Sequence, residues 1–563
     1  MFVPTSLFGG LDLARRALTA HQLAVQVAGH NLANAATPGY SRERVNFVPS
    51  PERRGVDVQS VTRMRDRFLD FALITEQQTL GKHLANEGLL QRVQAVVSDL
   101  PEEGLSAVLD DFFQGFQELS SSPMDQTARF EVVDAGQRLA QTFNLMRAHL
   151  DQIKTDNTIE INQRVAEAND LITQIAELNG QIVPLSVTAA TPNDLLDQRD
   201  ILVSRLAEIT GVAQTDRADG TVQLALAGTG VLLVDGIQTF TLTATLNPGP
   251  DTIDLSAGGS LAVLPRTGRL GALLESRNVS TGALRQAMTD LDTLAGSIAL
   301  RVNRLHASGT GTTEHTALTA FNAVSGAGTA LNAAGLAVTP VDGTFKVIVH
   351  DATGAVTANS TITVTAGTTT LTDIQTAINA VAGLTATITA GKLTITAAAN
   401  RTFTFANDTS DTLAALGINT FFTGSTASTL AVNSVVVADP TKIGAAVADA
   451  TDLVHAGDGS NALALARLRT SLTMVGGTKT FTDFYGGVVG RIGSQMQTAT
   501  EGVTRQEAAV KVVENLQQQV SGVSTDDEMI NLAQSQTAYA AAARYASTMN
   551  ALIDTLLEAY RPV

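Results

Sequence analysis

The chain has 563 residues, 44% of them apolar but only 4% aromatic, with no Trp, no Cys and a formal net charge of −17. That length asks for two to four domains with cores built from Ala, Val, Leu and Ile, while the acidity argues against a general nucleic-acid binder, which needs clustered cations to displace counterions. Without Cys there are no disulfides or thiolate metal sites, no stretch reaches the roughly 20 apolar residues of a membrane span, and Arg15 and Arg16 interrupt the first apolar run, so no signal peptide is expected.

In residues 1–105, Leu7, Leu11, Ala14, Leu18, His21, Val25, Ala28 and Leu32 recur at steps of four and three. This spacing predicts a helix lying along another helix. Thr37, Pro38 and Gly39 then stop it, because Pro disfavours helical geometry before it and Gly accepts a turn. The same region carries nine Arg against six carboxylates in its first 70 residues, either a solvated face or a docking surface. Residues 106–210 predict a helical stem, with a third seam at Ile161, Val165, Ala168, Ile172, Ile175, Asn179 and Ile182, where Asn179 either sets register or, the favoured reading, faces solvent near a helix end.

Residues 211–266 change period, with short runs such as Val222–Ala227 and Val231–Val234 between Gly and Asp, and predict a small β element. Helical pattern returns in 267–309. Residues 310–440 hold 31 Thr and only three Lys or Arg, and predict a β-rich inserted domain. Its strands carry Phe345, Val347 and Val349, then Ile362 and Val364. A hairpin turns at Ala390-Gly391-Lys392, and a short helix buries Ile374, Ala377, Ile378 and Val381. The segment reads as one that can be cut out of the stem. In 441–563, Gly486, Gly487, Gly490 and Gly493 beside Val488, Val489 and Ile492 predict close helix packing, and Thr525 with Glu528 predicts a capping box. A second terminal seam follows at Leu532, Ser535, Tyr539, Ala542, Ala546, Met549, Ile553, Leu556 and Tyr560. The fold class expected is α+β and multidomain: a long, coiled-coil-like helical stem from both chain termini, with inserted β-rich modules.

Chemistry is sparse. No Gly-Lys pair sits in a phosphate-loop pattern, and no G-x-S-x-G elbow occurs. The eight His are scattered, none with a second His at the i+4 spacing of a helical zinc site. Asp110-Asp111 and Asp526-Asp527 read as solvated faces or helix starts. No catalytic, cofactor-binding or metal residue is selected, and no enzyme is expected.

The segment Asn31-Leu-Ala-Asn34-Ala-Ala-Thr37-Pro38-Gly39-Tyr40-Ser-Arg42 resembles the N-terminal motif shared by flagellar axial proteins of the rod, hook and hook-associated classes. Gly55–Arg63 and Asp66–Leu69 are similar to the next stretch of hook-associated sequences. Asn193–Asp200, Gly268–Glu275, Gly457–Ala464 and Asp527–Leu532 resemble, in order, the pattern of the first hook-associated family of junction subunits. Leu371–Ala380 is similar to a short repeat of flagellin and hook-associated variable domains, whereas Ala533–Tyr539 has smaller residues than the family often shows. The resemblance implies an extracellular flagellar subunit, exported unfolded with an uncleaved signal. It implies a homo-oligomeric ring at the hook tip that contacts hook protein and a second junction protein, and an export chaperone on the C-terminal helix. Hook protein and flagellin remain alternatives within the class. A wall hydrolase would need an acid or metal constellation, and an adhesin would use the Thr-rich module.

Overall fold

The computed structural model describes residues 7–49, 55–98, 104–186, 192–249, 251–259, 263–455 and 457–559. The chain begins with α1 (Leu7–Ala33), the hairpin β1 (Glu43–Pro49) and β2 (Val56–Arg63), then α2 (Arg67–Val97), α3 (Leu105–Ser121), α4 (Gln126–Ser186) and α5 (Asn193–Thr210). Short strands follow: β3 (Val212–Asp216), β4 (Val222–Leu226), β5 (Leu232–Asp235), β6 (Gln238–Thr239), β7 (Leu242–Asn247) and β8 (Thr252–Ala257). After α6 (Gly268–Asn278) and α7 (Ala283–Ala307) come β9 (Ala317–Thr319), β10 (Gly343–Asp351), β11 (Val356–Val364), α8 (Leu371–Asn379), β12 (Leu384–Thr389), β13 (Lys392–Ala397) and β14 (Arg401–Ala406). The chain closes with α9 (Thr412–Leu416), β15 (Phe422–Thr423), β16 (Ala431–Val432), α10 (Ser434–Ala438), α11 (Ser460–Arg467), α12 (Phe481–Ser521) and α13 (Thr525–Ala559). The fold is thus mixed α+β, with the terminal helices packed together and sheets inserted between them. No helix among the described residues is long and apolar enough to cross a membrane.

Two compact units emerge. The first gathers residues 1–89, 156–282 and 497–563. In it α1 and α13 run antiparallel: a Cβ on Gly10 would lie 2.9 Å from Met549 Sδ, while Asn31 at the other end bonds Glu528. The third seam is buried along its whole length, from Ile161 to Ile182. Its partners are α5, α6 and the sheets β3-β4-β5-β6 and β7-β8, not another long helix alone. Each fully buried Ile contributes about 1.5–3 kcal/mol. Asn179 corrects the reading from sequence: it is buried, donating from Nδ2 to Gly236 O (2.8 Å) and Val222 O (3.2 Å) and accepting from Val222 N–H. The start of β4 and the β5–β6 turn need that partner, so this polar residue holds α4 to the sheet.

The second unit comprises residues 90–155 and 283–496. Strands β11-β10-β14 and β12-β13-β9 form two antiparallel sheets, and Phe345, Val347, Val349, Ile362 and Val364 all enter the core. Ala390 (φ +50°) and Gly391 (φ +75°) make the two-residue turn, with both backbones left-handed as this type of hairpin demands. Thr370 and Asp373 cap α8 reciprocally, and Ile374 and Ile378 are buried beneath it. The Thr-rich segment does not end as a separate shell: Phe421 and Phe422 pack on Phe112 of α3, with ring centroids 5.6 and 5.3 Å apart, and Arg129 of α4 donates to Ile443 O. Gly486, Gly490 and Gly493 of α12 bring no close helix, since a Cβ on any of them would meet open space.

Candidate assembly interface

The four-three spacing places one stripe of α13 against α1. Leu532, Ala542, Ala546, Met549 and Ile553 are partly covered, and so are Leu11, Leu18, Val25 and Leu32 on the facing helix. Ala14 and Ala28 are the buried members, because small side chains let the two backbones approach. Leu7 opens α1, but its side chain lies outside the described residues, as does Tyr560. Tyr539 and Leu556 depart from the expected stripe. They are 39% and 47% exposed, since a straight helix at 3.6 residues per turn drifts off a strict seven-residue repeat and turns Ala538 inward instead. Beyond the stripe, Met529, Ile530, Leu552 and Leu557 are also exposed, so α13 is apolar on faces that α1 does not cover.

The turn after α1 is built by the motif itself. Asn34 Nδ2 donates to His30 O, Thr37 Oγ1 donates to Asn34 Oδ1, and Tyr40 N–H closes on Thr37 O. Gly39 sits at φ +79°, where a Cβ would come within 2.5 Å of Ile201 Cδ1. Thr37 and Pro38 are exposed.

Below the turn lies a buried polar node. Asn31 uses every hydrogen-bonding position: Nδ2 donates to Glu43 O (2.9 Å) and Glu528 Oε2 (3.1 Å), and Oδ1 accepts from Tyr40 Oη (2.8 Å) and Glu43 N–H (2.8 Å). Arg42 Nε and Nη2 reach Glu528 Oε1 at 2.8 and 2.7 Å, and Arg42 N–H donates to Ser521 O. Glu528 is 3% exposed. It therefore does not serve in a capping box with Thr525; Ser524 caps α13 instead, its Oγ accepting from Asp527 N–H. Burial, then the charges of Glu43 and Asp194, push the Tyr40 phenol up from its ordinary value and keep it a neutral donor.

A second branch ties the same turn to α5. Ser41 donates through N–H and Oγ to Asp197 at 2.8 Å each, and Arg63 Nη1 spans Asp197 (2.6 Å) and Asp200 (2.9 Å). Arg65 pairs with Asp200 and Asp70, and Gln517 Nε2 donates to the same Asp70 oxygen. Burial would lower Arg65, but Asp200 and Asp70 outweigh it and raise the guanidinium further. Ser41, Arg63, Arg65, Asp197 and Asp200 were not singled out from sequence, although all but Arg65 stand in segments that carried the resemblance, and Glu528 was read only as a capping partner of Thr525. The cluster contains no activated nucleophile or acid-base pair; it locks α1, the turn, β1–β2, α5 and the start of α13 into one body.

Known proteins match along this whole arrangement. The family model of the flagellar hook-associated protein FlgK helical domain covers residues 90–321; a model of flagella basal body rod proteins covers 11–40, and one of the C-terminal part of basal body rod FlgEFG proteins covers 516–559. Flagellar hook-associated protein 1 of Salmonella typhimurium is 30% identical over 97% of this chain and 99% of its own length. The Bacillus subtilis protein of that name is 26% identical over 98% of both. The solved flagellar hook junction protein FlgK from Burkholderia pseudomallei aligns with a TM-score of 0.54 over 80% of this chain and all of its own, at 19% identity, a likeness of fold. With full-length identity at this level and the axial-protein ends in place, the chain belongs to the flagellar hook-associated protein 1 (FlgK) family.

Proposed function

We propose that this chain joins the hook to the filament, as a ring of identical subunits at the hook tip that contacts hook protein on one side and a second junction protein on the other. As a member of its family it is a structural flagellar protein, not an enzyme, and belongs to the extracellular flagellum. An export chaperone covers the C-terminal helix before assembly. The observation that carries the reading is α13, whose Met529, Ile530, Leu552, Leu556 and Leu557 stay exposed after α1 has packed on the opposite stripe. Monomeric soluble proteins rarely leave so long an apolar face bare. The α1–α13 pair is also weak by itself, because Ala14, Ala28, Ala542 and Ala546 each bring only about one methyl group, worth roughly 0.8 kcal/mol. Neighbouring subunits supply the rest. Leu18→Asp or Ile553→Asp puts a charge into the seam and is expected to abolish filament attachment while the second unit stays folded. Normal junctions built from either variant would refute the assembly role of this pair.

A further inference from the structure

We propose that His30, Glu43 and Asp194 bind one divalent first-row transition cation. The three come from the last turn of α1, the first residue of β1 and the first turn of α5, which is why no i+4 pattern in the sequence reveals them. One ligating atom from each lies within 4.8 Å of the others, and His30 Nδ1 is 3.5 Å from Glu43 Oε2. Ligands held about 2.0–2.2 Å from a cation stand roughly 3.0–3.5 Å apart, so small side-chain rotations close the shell.

The surroundings orient the donors. Asn31 Oδ1 holds the Glu43 backbone, and Asn193 Nδ2 donates to Glu43 Oε1 at 2.7 Å, which leaves Oε2 turned to the imidazole. Tyr40 gives its proton to Asn31, so its oxygen faces His30 Nδ1 (3.2 Å) as an acceptor. Without metal, Nδ1 therefore carries the proton; a cation replaces it. Two further facts point to a missing positive group. The Glu43 side chain is 10% exposed, yet among the described residues no Lys or Arg pairs with it. Asn193 is 95% buried and its Oδ1 has no hydrogen-bond partner among the described residues, beside the carboxylate that its nitrogen holds. A metal-bound water supplies the donor it lacks.

An imidazole with two carboxylates selects Zn²⁺, Co²⁺ or Ni²⁺ over Mg²⁺ or Ca²⁺, which take oxygen ligands. His30 and Asp194 are open to solvent, so water completes the shell. Bound there, the ion staples the end of α1 to β1 and α5, independently of the junction reading. The test is calorimetric titration of the chelator-treated full-length protein with Zn²⁺, together with the visible spectrum of the Co²⁺ form. Expected are one saturable site, at least tenfold weaker binding in His30→Gln and in Asp194→Asn, and loss of the Co²⁺ band in His30→Gln. Asp194 is exposed, so its variant reports on binding without a folding defect, and His455→Gln, which alters the exposed His455–Asp449 pair, should bind as the wild type does. Absence of a saturable site in the wild type, or equal binding by both variants, would overturn the proposal.

Discussion

Replacing Glu528 with Ala removes the acceptor that Arg42 and Asn31 share. Two hydrogen bonds from Arg42, at 2.8 and 2.7 Å, and one from Asn31, at 3.1 Å, disappear together. Deleting one member of a buried ion pair costs about 3–5 kcal/mol, because the other charge is left unpaired. Arg42 is 27% exposed, however, so water recovers part of that and the expected loss is about 3 kcal/mol. At about 1.4 kcal/mol per decade, local opening rises roughly 150-fold. A chain with two compact units need not unfold in one step, so the assay is local: exchange of the Arg42 amide, which bonds Ser521 O, and of the Met64 amide, which bonds Arg42 O. Asp527→Ala, on an exposed neighbour, is the control and should leave both amides unchanged. Less than a threefold change in Glu528→Ala would refute the node as the lock between the two ends of the chain.

Gly39→Ala forces a side chain into left-handed backbone and against Ile201, so the turn should lose about 1–2 kcal/mol, read as faster exchange at the Tyr40 amide. In the second unit, burial holds His306 and His315 down to about 4; His306 accepts from Gly444 N–H through Nε2 and so is neutral with its proton on Nδ1. An unfolded chain binds those protons below about pH 6.5, so stability is lost as pH falls from about 6.5 to about 4, by up to about 3 kcal/mol per histidine. His350, raised through Glu314 despite burial, opposes this in part, and a urea midpoint at pH 4.5 well below that at pH 7 checks the net sign. Excising residues 310–440 should leave an insoluble product rather than a shortened stem, because it strips Phe421 and Phe422 from Phe112 and Phe116; a soluble, cooperatively folding deletion would contradict that packing.

Periodicity revealed what neighbouring residues determine. The steps of three and four located α1, the inner face of α4 and α13, and the alternation at Phe345, Val347 and Val349 located β10, because each is set by which residues face one direction on a regular element. Partners were another matter. Asn179 has the position of a helix seam whether it faces water or the end of a strand, and only the fold decides. Asn31 and Glu528 meet from 497 residues apart, and no local pattern links them. The residues of the node nevertheless lay mostly inside the segments that carried the family resemblance, for a physical reason: Asp197 and Glu528 satisfy buried donors that no other residue type satisfies as well. Tyr539 and Leu556 were assigned inward because a strict seven-residue repeat was extended along a helix that does not keep it.

The central claim is that the uncovered face of α13 binds neighbouring subunits where hook meets filament. Electron microscopy of hook tips tests it most directly, in a strain lacking the gene and complemented with the wild type or with Leu557→Asp. Leu557 is 63% exposed, so the monomer should fold and be secreted unchanged. The account requires filaments with the wild type and bare hooks with secreted Leu557→Asp protein; filaments of normal number and length on the variant would contradict it.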